Sequence, residues 1–523
     1  MRIWISIVIF FVVSMVQAQT NTFQRSLYAT GTSAERANCV RQTPDGGYIL
    51  AGTSSGLGAG SYDMYLIRTD SNGDTLWTKT FGGSAYDVAN SVALSADGGF
   101  VVAGAANSFS GTIFNDVYLA KTDMNGSTLW TKTYGGADTD EGYLIEQTKD
   151  GGFIIVGTTE SFGGGSGDAY LLRTDSDGGL LWTKTYGGTG YDVATSLAQT
   201  TDGGFVLSGT SDSHGNNFDV YLIRTDMNGD TLWTKCYGGS NTDEGTSILL
   251  DPNGDCVVAG YTTSFGGGGD TYLLKTDQNG TLLWSKTFGG SGYEIGYDIH
   301  RLSVGGYMIA GTTASFGAGN KDAYLLKTNS DGNPVWAKTF GGTNNEFCYS
   351  FRHCSDNGYV LSGYTKSFGS FGEDAYLVKI DSLGTSGCNE STINFLPTAA
   401  ATSVIATATK VFSGGVVNNP PSAIGSGGTV NTICGLVSVE ENMHGSEAIA
   451  YPNPCNGRFE ILGTNPAERI IGADVYNSAG EKVFTSNTSL TMEICGRAPG
   501  LYFYRVFFNN GNIFAGKIIN QPQ

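Results

Sequence analysis

From residue 23 to about 381 the chain is built of short apolar stretches of seven to nine residues, separated by breaks rich in Gly, Asp, Asn and Ser. One run of the pattern reads DVATSLAQT (192–200), FVLSGTS (205–211), DVYLIRTD (219–226) and LWTKCYG (232–238). Val, Leu, Ile and Tyr fill these pieces. DGG, a Gly/Ser/Asn-rich loop and a D-x-x-G turn divide them, so each piece predicts a buried strand ended by a tight turn. The four-strand unit recurs. Trp77, Trp130, Trp182, Trp233, Trp284 and Trp336 stand 53, 52, 51, 51 and 52 residues apart, a period that marks an array of one supersecondary unit. Four antiparallel strands in a repeat of this length predict the blade of a β-propeller.

Three marks count the blades. An Asp-x-Tyr pair opens the third strand at Asp63, Asp116, Asp168, Asp219, Asp270, Asp322 and Asp374. A glycine near the end of the second strand recurs at Gly52, Gly104, Gly157, Gly209, Gly260, Gly311 and Gly363. A basic residue follows late in the third strand at Arg68, Lys121, Arg173, Arg224, Lys275, Lys327 and Lys379. Each mark gives seven, yet the tryptophans give six. After 374–381 no tryptophan and no outer strand follow, while an unassigned strand, FQRSLYA (23–29), precedes the first repeat. Joining them closes the ring and removes an edge that would template aggregation. The predicted fold is all-β: a seven-bladed propeller over 19–385, with residues 23–29 completing blade seven beside 374–381.

The turn and tryptophan, as in Asp70-Ser-Asn-Gly73-Asp-Thr-Leu-Trp77, resemble the tryptophan-docking motif of quinoprotein-like propellers and, with altered spacing, the Asp-box of sialidases. That resemblance implies tryptophans wedged between blades. It implies no quinone or sialic-acid activity.

Four sets of residues are candidates for chemistry. Just after each Gly-Gly or its equivalent, where the chain turns into the innermost strand, stands an acid: Glu35, Asp87, Asp140, Asp192, Asp243, Glu294 and Glu346. Propeller geometry places these seven around one mouth of the axial channel, where they would repel unless compensated. Either a cation compensates them, calcium being the one that takes many oxygen ligands, or backbone amides donate to each; the architectural reading is preferred. The D-x-N-G turns at Asp70, Asp123, Asp226 and Asp277 lack the length and later glutamate of a calcium loop and read as hairpins. Lys79, Lys132, Lys184, Lys235, Lys286 and Lys338 read either as a basic stripe for anionic ligands or, interleaved with turn aspartates, as solvated salt bridges, the latter preferred. If the hairpin register is regular, Arg68 comes near Trp77 for a cation–π contact. Phe109, Phe162, Phe265, Phe316 and Phe368 begin the longest loops, either as stacking surfaces for sugars or as local core.

Composition narrows the partners. A formal charge of −19 on 523 residues argues against nucleic acid, whose phosphates need a basic face. Arg2, the apolar run Ile3 to Val16 and the small-residue site Val16-Gln17-Ala18 predict an export signal over 1–18, and no other long apolar run predicts a membrane span in the mature chain. Only four histidines exist, in no metal spacing or nucleophile–base pattern. In an oxidising compartment Cys388–Cys434 and Cys455–Cys495 are plausible bridges. Cys39, Cys236, Cys256, Cys348 and Cys354 interrupt repeat positions and read as buried thiols.

From about 386 to 447 the composition turns to Thr, Ala, Val, Gly and Ser, which predicts a linker or a small strand-bearing spacer. Short alternating strands over 448–523 then predict a small β-sandwich. Tyr451-Pro452-Asn453-Pro454, Tyr-Asn-x-x-Gly-Glu-Lys-Val (476–483), Gly500-Leu-Tyr502-Phe and Gly516-Lys517-Ile-Ile resemble the type A C-terminal sorting domain of the type IX secretion system. The resemblance implies recognition by an outer-membrane translocon, then release or attachment at the cell surface. Together these features predict a secreted or surface-attached binding or adhesion module for a glycan or protein ligand. The alternative is a polysaccharide-active enzyme, a lyase or glycosidase, using the acids at the channel mouth.

Overall fold

A computed structural model describes residues 21–29, 32–214 and 217–393 and, beyond them, the strands named below. The expected export signal lies outside the described residues. Blade four shows how the repeat folds: Asp192–Gln199, Phe205–Ser211, Asp219–Thr225 and Thr231–Gly238 pair antiparallel in sequence order. Six sheets repeat this plan. In the seventh, Glu346–His353, Tyr359–Thr365 and Asp374–Ile380 are completed by Phe23–Tyr28, in the register Phe23↔Lys379 to Leu27↔Ala375. The N-terminal strand therefore closes the ring.

Each innermost pair carries a register shift, as between Ala194 and Ser196, the signature of a bulge that twists the strand. The bulge explains the repeated glycine of the second strand. A Cβ at Gly209 would stand 1.8 Å from the Val193 carbonyl oxygen, and at Gly52 only 1.7 Å from that of Arg36. Second and third strands bury almost every residue, so neighbouring blades share their cores: Ile49, Leu66, Val102 and Tyr118 lie in one cluster, with Trp77 packed on its edge.

The tryptophans are wedges between blades. A Cβ on Gly126, in the turn of blade two, would touch Trp77 at 3.0 Å, and the same holds for Gly178 against Trp130 and Gly229 against Trp182. Blade seven has no tryptophan. Its wedge is Phe23, whose ring would meet a Cβ on Gly73 at 2.5 Å. The lysine two residues past the tryptophan supplies the cation–π contact, as Lys235 over Trp233 at 5.7 Å, and Lys184 also bridges to Asp230 of the next turn at 2.9 Å.

One expectation is corrected here. Arg68 does sit opposite Trp77 in register, but its guanidinium turns away to Asp45 at 2.5 Å. A charged hydrogen bond to the carboxylate of the DGG turn outweighs a contact with the half-buried ring. Arg173 and Asp150 repeat the pairing. The hairpin reading of the D-x-N-G turns holds: Asn72 N donates to Asp70 Oδ1, and Gly73 takes φ +80°.

The segment after 386, expected as a linker or strand-bearing spacer, supplies a fifth outer strand to every blade. Glu390–Ile393 pairs on blade six, Thr398–Ala399 on five, Ser403–Ala406 on four and Lys410–Phe412 on three. Val416–Asn418 follows on blade two, Ala423–Gly425 on one and Thr429–Gly435 on seven. These strands belong to the same compact unit as the blades, which ends at Leu436; a second unit runs from Val437 to Gln523.

That second unit contains a three-stranded sheet (Ala448–Tyr451, Arg458–Gly463, Thr491–Glu493) and a four-stranded one (Lys482–Ser486, Ile470–Tyr476, Gly500–Phe508, Ile513–Asn520). Phe459, Val475, Tyr502 and Val506 form its core. Of the sorting-motif residues, Tyr451 pairs with Glu460, Gly500 with Asn520, Gly516 with Tyr504 and Lys517 with Phe503. Pro452, Asn453, Pro454, Cys455 and Cys495 lie outside the described residues. The five repeat-interrupting cysteines are free and buried, and Cys388 is disulfide-bonded.

Candidate functional site

The seven ring acids open their innermost strands as expected, but their carboxylates are 0 % exposed. Each is turned back into the loops. Asp140 Oδ2 accepts from Gly136 N at 2.8 Å and from Ser161 Oγ at 2.7 Å. Asp243 accepts equivalently from Gly239 N and Ser264 Oγ. The longer Glu294 reaches Gly290 N, Ser315 N and Thr313 Oγ1, as Glu346 does with Gly342 N, Ser367 N and Thr365 Oγ1. Glu35 accepts from Ala29 N, Ser33 Oγ and Ser54 Oγ, while Asp87 and Asp192 follow the aspartate pattern. Six of the acids thus tie the strand that enters a blade to the loop between its second and third strands, and Glu35 ties it to Ser54 at the end of the second strand. Among the described residues no group of three or more His, Cys, Asp or Glu is placed to hold a metal ion.

Six of the ring acids also face the Asp-x-Tyr aspartate of the preceding blade across one glycine; at the seam Ala29 takes that place beside Glu35. A Cβ on Gly135 would stand 2.1 Å from Asp116 Oδ1 and 2.7 Å from Asp140 Oδ2, and Gly238 stands likewise between Asp219 and Asp243. Asp116 Oδ1 and Asp219 Oδ1 are buried without a hydrogen-bond partner. Burial first, then the neighbouring carboxylate, pushes Asp116 and Asp219 up to about 6. Asp270 also rises to about 6, from burial and then Glu294.

The channel mouth itself is lined by aromatic rings. Three come from the position just before a ring acid (Tyr86, Tyr191, Tyr293) and three from the bulge (Tyr143, Tyr297, Tyr349). Tyr62 meets Tyr86 edge-on at 5.4 Å, Tyr297 meets Tyr349 at 5.2 Å, and Phe347 stacks on Tyr364 at 4.7 Å. Charges are threaded through the rings. Lys321 lies 4.7 Å over Tyr293, and Arg36 lies 5.2 Å over Tyr364 while bonding Glu373 at 2.5 Å. Burial opposes ionisation of Glu373, but Arg36 and Lys366 hold its carboxyl below the usual range. Burial pushes the Tyr143, Tyr297 and Tyr349 hydroxyls well up, so they stay protonated donors. Between blades one and two the mouth deepens into a cavity of 310 Å³ lined by Arg36, Asn38, Thr53, Tyr62, Tyr86 and Asn90.

Toward the far ends of the innermost strands the channel carries paired ions. Arg41 of blade one reaches Glu146 of blade three at 3.2 Å, a bond that bypasses blade two and so runs inside the channel. Arg352 bonds Asp298 at 2.5 Å and lies 2.8 Å from His300 Nε2. Burial first, then the Arg352 charge, lowers His300 to about 3, so the ring is a neutral acceptor for Arg352. In the sequence Asp298, His300 and Arg352 look like scattered departures from the repeat; the structure joins them. The rim phenylalanines serve as local core, Phe109 lying 5.2 Å from Tyr118 and Phe265 5.8 Å from Tyr272. The mouth tyrosines escape the repeat logic because they fill different positions in different blades. Their only sequence signal is aromatic enrichment next to the ring acids.

Comparison with known proteins agrees with this architecture. The secretion system C-terminal sorting domain matches residues 449–521. A β-propeller domain of unknown function (DUF5122) matches residues 252–282. The regulatory protein FlaEY of Caulobacter vibrioides is 27% identical over 263 residues, covering 43% of this chain and 26% of that protein. The chain therefore spans about a quarter of the length of this curated relative. A protein of unknown function from Dyadobacter fermentans is 12% identical, covering 69% of this chain and 98% of its own, with a TM-score of 0.40. The extracellular domain of a B. thetaiotaomicron one-component system is 9% identical, covering 93% and 68%, with a TM-score of 0.28. Scores this low add nothing to the blade count, which rests on the strand pairing. Among the described residues no helix is long and apolar enough to cross a membrane. The chain is a seven-bladed β-propeller repeat protein whose C-terminal sorting domain directs it through the type IX secretion system to the outer cell surface or beyond.

Proposed function

We propose that this protein is a non-catalytic binding or adhesion module whose ligand face is the aromatic channel mouth, and that the ligand is a glycan. One observation carries the reading: aromatic side chains depart from the repeat at this mouth and gather there. Ring faces stack on sugar C–H surfaces, while the amide oxygens of Asn38 and Asn90, whose nitrogens already donate to the Ala89 and Gly142 carbonyls, would accept from sugar hydroxyls. Few convergent polar groups among apolar walls is the usual make-up of a ligand cleft. A glycan array with the secreted protein tests it. Tyr86→Ala and Tyr297→Ala are each expected to weaken binding about tenfold or more with an unchanged melting temperature. A mouth whose tyrosines can be removed without loss of the bound glycan would overturn the reading.

The rival, an enzyme using the ring acids, has less support: those carboxylates are enclosed and already engaged by amides and hydroxyls. We assign the ring to architecture instead of calcium. Asp192→Asn combined with Asp243→Asn is expected to cost about 1–3 kcal/mol per site, equally in calcium and in chelator, as read by thermal melting. A calcium-dependent rise in melting temperature that the double variant abolishes would return the ring to ion binding.

A further inference from the structure

The outer belt of strands does more than cover edges: we infer that a disulfide between Cys388 and Cys434 closes it into a covalent hoop around the propeller. The chain leaves blade seven after Ile380, turns through Asp381–Thr385, and reaches Cys388 at the outer rim of that blade. It then visits blades six, five, four, three, two and one, against the order in which the blades were made, and returns to blade seven with Thr429–Gly435. That is one full circuit.

The lengths agree. Belt strands begin at residues 390, 398, 403, 410, 416, 423 and 429, on the order of 6–7 residues per blade. At about 3.3 Å per extended residue, Cys388 to Cys434 spans roughly 150 Å. Four strands at about 4.8 Å spacing around a narrow channel give an outer circumference of the same order.

The two ends meet at one residue. Gln24, on the closing strand and 0 % exposed, donates from Nε2 to the Cys388 carbonyl at 2.6 Å and to Ser386 Oγ at 2.9 Å. The backbone places Cys434 directly opposite Gln24. Tyr376 OH fixes the Gln24 amide from the other side at 2.7 Å. Cys388 is disulfide-bonded, the five blade cysteines are free, and Cys434 is the cysteine that the pairing brings to its side. Formation of the bond takes two protons and two electrons from the two thiols and passes them to the disulfide of a thiol–disulfide exchange protein of the export compartment, which leaves as a dithiol. The hoop then locks the seam where the N-terminal strand closes the ring. The sorting unit begins at Val437, beyond the lock, so removal of that unit leaves the hoop whole.

The test uses the full secreted chain. Peptide mapping without reductant is expected to find Cys388 joined to Cys434. A protease site placed at Ser413-Gly414-Gly415 and cut once is expected to leave a single species on a denaturing gel without reductant, and two fragments with it. Cys388→Ser with Cys434→Ser is expected to speed proteolysis within the belt at least tenfold. Reduction of the folded wild-type chain is expected to do the same without any substitution. Cys388 joined to Cys455 or Cys495, a freely alkylated Cys434, or a nicked chain that separates without reductant would each overturn the hoop.

Discussion

Phe23→Ala is expected to destabilise the propeller by about 3–5 kcal/mol, whereas Phe23→Trp is expected to leave stability within ~1.5 kcal/mol of wild type. Phe23 is 1 % exposed, sits edge-on to Tyr48 at 6.1 Å and fills the notch over Gly73 that a tryptophan fills over each corresponding glycine elsewhere. Truncating it opens a cavity at the one seam in the ring that is not continuous in sequence. The indole should fit because the same notch accepts one in six other places. Here the seam also carries the pairing of Phe23–Tyr28 with both the third strand of blade seven and the last belt strand. Chemical denaturation of the full chain measures both variants. An alanine variant as stable as wild type would mean that backbone pairing alone holds the seam.

Blade number and ring closure are legible in the sequence because one physical requirement recurs seven times. A bulge needs its glycine, a turn its aspartate, and a buried loop its acid, so each leaves a countable mark. The seventh wedge is half legible. The strand 23–29 can be found from its pattern, but only Gly73 facing Phe23 reveals that phenylalanine replaces tryptophan.

The belt is hardly legible at all. Its strands are two to seven residues long and pair with partners up to about 400 residues away. Their Gly- and Ser-rich spacers have the composition of a linker. Backbone pairing to an existing edge asks little of side chains, so it leaves little trace. The mouth escapes for the opposite reason: its tyrosines matter individually and occupy positions that do not repeat. The ring acids are found correctly as a set, yet their orientation depends on loop amides and hydroxyls that sequence spacing does not place.

Lowering the pH from 8 to 5 is expected to raise the melting temperature of the propeller by several degrees. Asp116, Asp219, Asp270 and Asp322 are each held near 6 by burial, with a second acid close by. A folded-state value above the unfolded one means that the native protein binds protons first. The stability this contributes is fully present below about 4 and is lost as pH rises through about 6. A shift of about two units corresponds to roughly 3 kcal/mol per group at most, and the paired acids share one another's protons, so the sum is smaller. Two histidines oppose the trend. His300 and His214 are lowered, chiefly by burial, and they cost stability as pH falls below about 6.5 because only the unfolded chain protonates them. Two histidines do not offset four aspartates. Below about pH 4 the rise should end, because Asp45 and Asp150, held down by hydroxyl hydrogen bonds and by Arg68 and Arg173, then protonate and release their arginines. Asp116→Asn with Asp219→Asn isolates the effect: the neutral amides should raise the melting temperature at pH 8 and flatten the slope between 8 and 5. A melting temperature independent of pH in wild type, or a slope unchanged in the double variant, would mean that the interface acids are solvated and ionise freely.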